Sequence, residues 1–207
     1  MGDGPRALDH LPRIEIADLA SLETWLEARD PGDSAHWLVH PKRHAGNPGI
    51  AWTDIVDILL CHGWIDSLPR KLDAARTMLL ISPRRPGSAW SAINRAKVER
   101  LIAAGRMRES GLAVVAAARQ SGDWDRLSGL DPDAPPEDLA RALAVDAAAA
   151  ENFNRIPRSS RRAILEWILL ARKPETRMAR VARTVALARE GRMANHPAGR
   201  DRIPRGD

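Results

Sequence analysis

The chain is poor in several residue types, and each shortage excludes something. Of its 207 residues, one is cysteine (Cys61), one is phenylalanine and none is tyrosine. A lone cysteine rules out an intramolecular disulfide. Lysine occurs only at positions 42, 71, 97 and 173, so the basic charge is nearly all arginine. No apolar run approaches the roughly 20 residues that a membrane span needs, so no span is expected. Met1 to Arg6 carries no apolar h-region of a signal peptide. Arg6 also occupies the place where an N-acylation pattern requires Ser or Thr. These absences point to a soluble, cytoplasmic protein.

Catalytic motifs are missing as well. There is no phosphate-binding loop, nucleophile elbow or zinc-protease motif, so neither an enzyme nor a cofactor is expected. Cys61 and His62 are neighbours, and adjacent side chains on a helix project about 100° apart. A buried structural cysteine is therefore expected rather than a nucleophile with its base. His36 and His40 share one face of a strand, with His44 further on. Two ligands do not make a metal site, so no metal is expected and that face reads as a wetted sheet surface. Asp54 and Asp57 fall near a helix start, where the macrodipole favours acids.

What is present is charge, tryptophan and apolar periodicity. The net charge of +5 is segregated: residues 1–80 carry −4, 81–108 carry +6, 109–154 carry −6 and 155–207 carry +9. Such alternation suits internal docking as well as an acidic ligand. Hydrophobic residues make up 44% and tryptophan occurs seven times, enough for a real core.

The pattern predicts an α+β fold, with a small antiparallel sheet packed with helices in the N-terminal part and an all-helical C-terminal part. After a disordered lead to Pro12, Arg13–Ile16 alternates as a strand, and Asp18 caps a helix carrying Leu19, Leu22, Trp25 and Leu26. Residues 36–40 form a strand, followed by a basic turn over 41–48. Thr53 caps the next helix, which ends at Gly63, and strands open at Trp64 and Thr77. Helices are expected over about 89–104 and 109–120. Gly129–Pro136 reads as a linker, which divides the chain into domains at 13–128 and 137–192. The second holds helices at 137–145 and 147–154, one capped by Ser159 or Ser160 running through Arg172, and a last one opened by Pro174. The final fifteen or so residues read as frayed.

Several stretches then form an ordered set: Cys61-His62-Gly63-Trp64-Ile65-Asp66, Ser82-Pro83-Arg84-Arg85-Pro86, Trp90-Ser91-Ala92-Ile93-Asn94, Val98–Ile102 with Gly105-Arg106-Met107, Gly111-Leu112, and Ala171–Arg177. This set resembles the YdeI/OmpD-associated family, also called bacteriocin-protection proteins, over roughly residues 13–195. The resemblance implies a cytosolic bacterial protein linked to envelope stress and to tolerance of bacteriocins or cationic antimicrobial peptides. One departure is Ser67, where such sequences often carry Gly after Trp-Ile-Asp.

The same residues carry their own chemistry. Trp64 and Asp66 share a strand face. Arg84 and Arg85 present two planar forks suited to carboxylate or phosphate, in a loop stiffened by Pro83 and Pro86. Trp90, Asn94, Val98, Leu101 and Gly105 fall on one helical stripe. Two readings stand. In one, Trp64 and Trp90 are core, Asn94 clamps the loop and Asp66 pairs with Arg84. In the other, Trp64, Asp66, Arg84, Arg85, Trp90 and Asn94 line a pocket for an anionic or peptide ligand.

In the C-terminal part, Met178, Val181, Val185 and Ala188 form a stripe that can pack on Ile164, Trp167, Ile168 and Ala171. Arg158, Arg161, Arg162, Arg172, Lys173, Arg177 and Arg180, with Arg183, then make a basic face. That face is either a nucleic-acid contact or a surface neutralised by the acidic segment 109–154. The leading functional reading is a stress-protection protein that binds an anionic small molecule or an envelope-linked protein partner. Nucleic-acid binding and an uncharacterised enzyme are the alternatives.

Overall fold

The computed structural model describes residues 8–30, 32–42, 49–197 and 199–204. The first seven residues of the expected lead and residues 43–48 of the expected basic turn, His44 included, lie outside the described residues. The chain forms two compact units, Met1–Trp124 and Asp125–Asp207. The linker read at 129–136 thus falls within the second unit, where Leu130 packs against its core.

In the first unit the elements run β1 (Arg13–Glu15), α1 (Leu19–Glu27), β2 (His36–Pro41), α2 (Trp52–Cys61), β3 (Trp64–Lys71), β4 (Arg76–Pro83), α3 (Ala92–Ala103) and α4 (Glu109–Ser121). The four strands make one sheet in the order β1-β2-β4-β3. β2–β4 and β3–β4 are antiparallel, but β1 and β2 are parallel. The sheet is therefore mixed rather than wholly antiparallel. The reason is the connection: α1 carries the chain back across the sheet, and a helical crossover returns the next strand in the same direction.

Strand alternation decides which residues go where. Leu38, Leu79, Ile81 and Trp64 face α1 and α2 and pack with Leu22, Leu26, Ile55, Ile58 and Leu59. Trp37, Val39 and Met78 face the other way, against Leu8, Leu11, Leu72 and Leu80. Full burial of each such side chain stabilises by about 1.5–3 kcal/mol. The N-terminal stretch from residue 8 is tied down rather than disordered. Trp37 Nε1 donates to Leu8 O at 2.9 Å, and Arg70 both stacks over Trp37 and pairs with Asp9 at 2.5 Å. His36 and His40 lie on the helix-covered face and are buried, not wetted as their polarity suggested. Trp25 packs edge-on against His36 at 4.9 Å, and burial holds His40 below its usual pKa.

α2 is buried along its whole length from Ile55 to Cys61. One side faces the sheet, while Val56, Leu60 and Cys61 join Trp90, Val98, Leu101, Val115 and Trp124. A helix apolar all round belongs between two layers. α2 begins at Trp52 with Ala51 as N-cap, so Thr53 sits inside the first turn and does not cap. Asp57, buried on α2, accepts from Lys97 at 2.5 Å and from Arg100, both on α3. Ser67 stands at a register irregularity in the β3–β4 ladder between Asp66 and Pro69, its hydroxyl donating to Leu80 O.

The second unit contains α5 (Glu137–Ala144), α6 (Ala147–Arg155), α7 (Arg158–Leu169) and α8 (Pro174–Arg189). Leu139, Leu143, Phe153, Ile164, Leu165, Ile168, Val181 and Ala188 make its core. α7 begins at Arg158 without a side-chain cap and stops at Leu169, shorter than expected at its C-terminal end. Val181 and Ala188 of the expected stripe are buried, whereas Met178 is 64% exposed and Thr184 is buried in the α8 face. The chain after α8 is not frayed: Met193 N donates to Asp201 O at 2.5 Å and Ile203 N to Gly191 O at 2.8 Å. Met193, Ala194 and Ile203 complete the core.

Candidate functional site

Strand β4 delivers Arg84 directly into a turn. Its backbone N–H donates to Gly63 O at 2.9 Å, closing the end of the β3–β4 ladder. Pro86 then sets the first corner of a turn over 85–88, and Gly87 takes φ +81° at the second, a combination that defines a type II turn. Ser88 N and Ser88 Oγ both donate to Arg85 O, at 3.1 and 2.7 Å. The turn is therefore held from within.

This geometry sends the two arginines in opposite directions. Arg85 is exposed, whereas Arg84 is 8% exposed. The pair of outward-facing forks anticipated from the sequence is thus one outward and one inward. The Arg84 guanidinium lies 3.6 Å from the centroid of the Trp90 ring. Its Nη2 donates to Ala89 O at 2.5 Å, and its Nε is buried without a partner. No carboxylate among the described residues forms an ion pair with it. Burial alone pulls its pKa down to about 10, so it stays charged at neutral pH.

Arg84 borders a cavity of about 230 Å³, walled by Arg85, Pro86, Gly87, Ser88, Trp90, Val114, Ala117, Ala118, Ser121 and Asp123. Val114, Ala117, Ala118 and Ser121 come from one face of α4, as their spacing of three, four and seven dictates. Asp123 is buried and its Oδ2 accepts from Ser121 Oγ at 2.8 Å. Trp90 is almost wholly buried and packs on Trp124 at 4.9 Å, so the indole forms a fixed floor.

Of the six residues read as ligand-binding, Arg84, Arg85 and Trp90 meet at this cavity. Trp64 belongs to the sheet core and borders, with Arg84 and His62, a separate cavity of about 50 Å³. Asp66 does not pair with Arg84; its Oδ2 accepts from Trp52 Nε1 at 3.1 Å. Asn94 contributes its backbone N–H to the Ser91 cap at 3.2 Å and is not part of the cavity wall. Sequence reading missed the α4 contribution and Asp123. The i, i+3, i+4, i+7 row of small residues in α4 was the available signal.

Cys61 is buried and its thiol pKa is raised by burial. The pKa of the His62 ring is lowered, first by burial and then by Arg108, and its Nε2 is buried without a partner. The cavity wall supplies one buried cation, a fixed aromatic surface and a buried carboxylate. They are equipped to hold a small charged molecule.

The basic residues of the second unit meet acids of the same unit. Arg158 and Arg161 pair with Asp133 at 2.9 and 2.7 Å. Arg177 forks onto Asp138 at 2.6 and 3.0 Å, and Arg162 pairs with Glu166 at 2.9 Å. Arg180 donates to Trp167 O and stacks on the Trp167 ring. Arg172 and Lys173 are exposed between α7 and α8.

Fold and site together define an α+β protein whose first unit holds a buried-arginine cavity and whose second unit is helical. Within that class, residues 134–191, which span α5 to α8, match the family described as Bacteriocin-protection, YdeI or OmpD-Associated. Residues 14–114 match a separate model, a domain of unknown function (DUF8412). The resemblance read in the sequence is thereby shown for the helical unit, while the motifs from Cys61 to Gly111 fall in the second matched segment. Neither a curated protein nor a solved structure matches the chain. No helix among the described residues is long and apolar enough to cross a membrane.

Proposed function

We propose that the protein is a cytoplasmic binding protein of the bacterial stress response, which captures a small anionic ligand on Arg84 and so contributes to tolerance of bacteriocins or cationic antimicrobial peptides. One observation carries the binding reading: a guanidinium more than nine-tenths buried, with an unpartnered Nε and no carboxylate counter-ion among the described residues, on the wall of a ligand-sized cavity. Burying an unpaired charge costs several kcal/mol. Stacking on Trp90 offsets about 1–2 kcal/mol of that, and one hydrogen bond to Ala89 O adds about 1.5–3 kcal/mol. A charge perturbed by burial at the wall of a cleft marks a candidate functional group. The stress-protection part rests on the family description matched by residues 134–191.

The nucleic-acid alternative gains little from the geometry. Arg158, Arg161, Arg162 and Arg177 already hold carboxylates of their own unit, which lowers the field a phosphate backbone would meet.

The test is a thermal-shift and calorimetric screen of small carboxylates and phosphates against the unaltered chain and Arg84→Met. The expected result is a set of anions that stabilise the unaltered protein, by about 2.7 kcal/mol at a hundred times Kd, and have no effect on the variant. Arg84→Met is also expected to fold at least as stably without ligand, because an apolar side chain replaces an unpaired charge. Equal anion responses in the two proteins would remove Arg84 as the binding group. In the native host, Arg84→Met should lower survival under a cationic peptide. Unchanged survival would separate the binding site from the tolerance role.

A further inference from the structure

His62 and Arg84 meet at one end of the β3–β4 ladder. His62 closes α2, its backbone N–H donating to Leu59 O at 3.1 Å, and Gly63 then turns the chain into β3. Trp64 stands opposite Pro83 in the register, and Arg84 N donates to Gly63 O at 2.9 Å. Both residues are thus fixed at this corner by their backbone bonds. Each is more than nine-tenths buried, and neither His62 Nε2 nor Arg84 Nε has a hydrogen-bond partner. Both residues border the cavity of about 50 Å³, whose apolar wall is Leu26, Trp64 and Val114. Buried polar nitrogens are ordinarily hydrogen-bonded, and one small acceptor between these two would satisfy both. The space exceeds the roughly 10–15 Å³ that a water needs but is much smaller than the cavity of about 230 Å³ that Arg84 also borders.

We propose that this small cavity seats the anion, a monovalent one of formate size that accepts from Arg84 Nε and His62 Nε2 together, and that His62 takes up a proton as the anion enters. This rests on the anion-binding reading of Arg84 and narrows it to one cavity, one size and a second donor. The Arg84 Nη2 donates to Ala89 O, which leaves Nε for a ligand, and a carboxylate accepts from a guanidinium edge and a ring N–H at once. A neutral imidazole carries one N–H, whereas the imidazolium donates from both nitrogens. An anion beside Nε2 therefore favours the charged ring. Without one, burial and Arg108 oppose the charging of His62, while Glu23 and Glu27 of α1 favour it. Arg29 and Asp30, which follow α1 and carry opposite signs, join Arg84 as the other charged residues on the cavity wall. None of these carboxylates forms an ion pair with His62 or Arg84. The anion brings the counter-charge.

The experiment uses the full chain in sodium gluconate, whose anion is too large for the cavity, with formate and benzoate as probes. Binding is followed by thermal shift and by the imidazole resonances of His62 in NMR spectra. Formate is expected to bind about tenfold more tightly than benzoate and to raise the pKa of His62. Its affinity should fall by up to about tenfold per pH unit between the free and bound pKa values of that ring. His62→Gln, which keeps a donor but cannot titrate, should bind formate equally across that range, and Arg84→Met should not bind it. Should benzoate bind as tightly as formate, or should formate leave the His62 titration unmoved, this assignment falls while the anion reading of Arg84 stands. Should neither probe bind, the assignment also falls, and the wider anion screen then decides separately on Arg84. The probe comparison and the His62 titration are both made on the unaltered chain, so a folding defect in a variant does not shelter the proposal.

Discussion

Gly111 of α4 passes directly over the carbonyl of Cys61 at the end of α2: a Cβ placed on Gly111 would stand 2.2 Å from Cys61 O. Arg108 N donates to that same oxygen at 3.0 Å, so α4 starts where α2 stops and the two helices meet backbone to backbone. The cavity depends on this crossing, since α4 supplies its Val114, Ala117, Ala118 and Ser121 wall. Gly63, at φ +77°, completes the corner, with Val114 Cγ2 and Ser110 O at 3.0 and 3.2 Å from where a Cβ would sit.

Gly111→Ala should therefore destabilise the first unit. Alanine favours a helix interior by about 1 kcal/mol over glycine, yet here the methyl meets backbone that has no flexible end to give way. Overpacking of this kind costs about 1–3 kcal/mol or more, and a net loss of about 2 kcal/mol is expected in urea unfolding. An unchanged or raised midpoint would show that α4 can lift off α2 freely.

Asp57→Asn should loosen α3 from α2. Asp57 is buried and accepts from both Lys97 and Arg100, and these contacts hold its carboxyl below the usual range against the opposing effect of burial. Arg100 is more than half exposed, so solvent screens part of the interaction. A loss of about 1–2 kcal/mol is expected, less than the 3–5 kcal/mol of a fully buried pair. The measurement is a double-mutant cycle with Lys97→Met, and an additive result would mean the contact contributes nothing.

Acid should weaken the fold through its histidines before its carboxylates. His62 and His40 have pKa values lowered from 6.5, in each case chiefly by burial. Arg108 lowers His62 further, while Glu23 and Glu27 pull it the other way. The unfolded chain thus takes up protons near pH 6.5 that the folded chain resists, so stability falls as pH drops below that value. Each histidine contributes at most about 1.4 kcal/mol per pH unit. The stabilising carboxylates Asp57 and Asp138 act in a lower window, since their contribution is lost only below about 3.8. Urea midpoints at pH 7.5, 6 and 5 should fall in sequence, with a shallower decline in His62→Gln. The same slope in both proteins would show that His62 takes up its proton without cost to the fold.

Asp201→Asn should lower the melting temperature of the second unit. Asp201 pairs with Arg192 at 2.6 Å and its backbone oxygen accepts from Met193 N, which holds Ile203 against the core. Differential scanning calorimetry reads the effect. An unchanged transition would show that the returning segment is held by Ile203 and its backbone bonds alone.

Much of the local structure was legible in the chain. Asp18 caps α1, as its position before an apolar stripe implied, Pro174 opens α8, and Gly63 takes the left-handed turn after α2. The Pro86-Gly87 turn is also a local matter. These features depend on the φ/ψ preferences of a few residues and on hydrogen bonds spanning three or four positions. They form with little reference to the rest of the molecule.

What only the tertiary structure decided is direction and depth. Nothing in Arg84-Arg85 says which guanidinium turns inward; the packing of Trp90 against Trp124 and α4 makes that choice. His36 and His40 look polar along the strand, yet both are buried, His36 beneath Trp25 of α1. Asp123 borders the same cavity as Arg84 although nearly forty positions separate them, and α4, which leads to it, is seated against α2 at the Gly111–Cys61 crossing. Short-range preference sets where an element begins and ends, but the environment of a side chain is made by segments distant in the chain, and it is that environment that decides whether a charge stays in water or is buried beside a cavity.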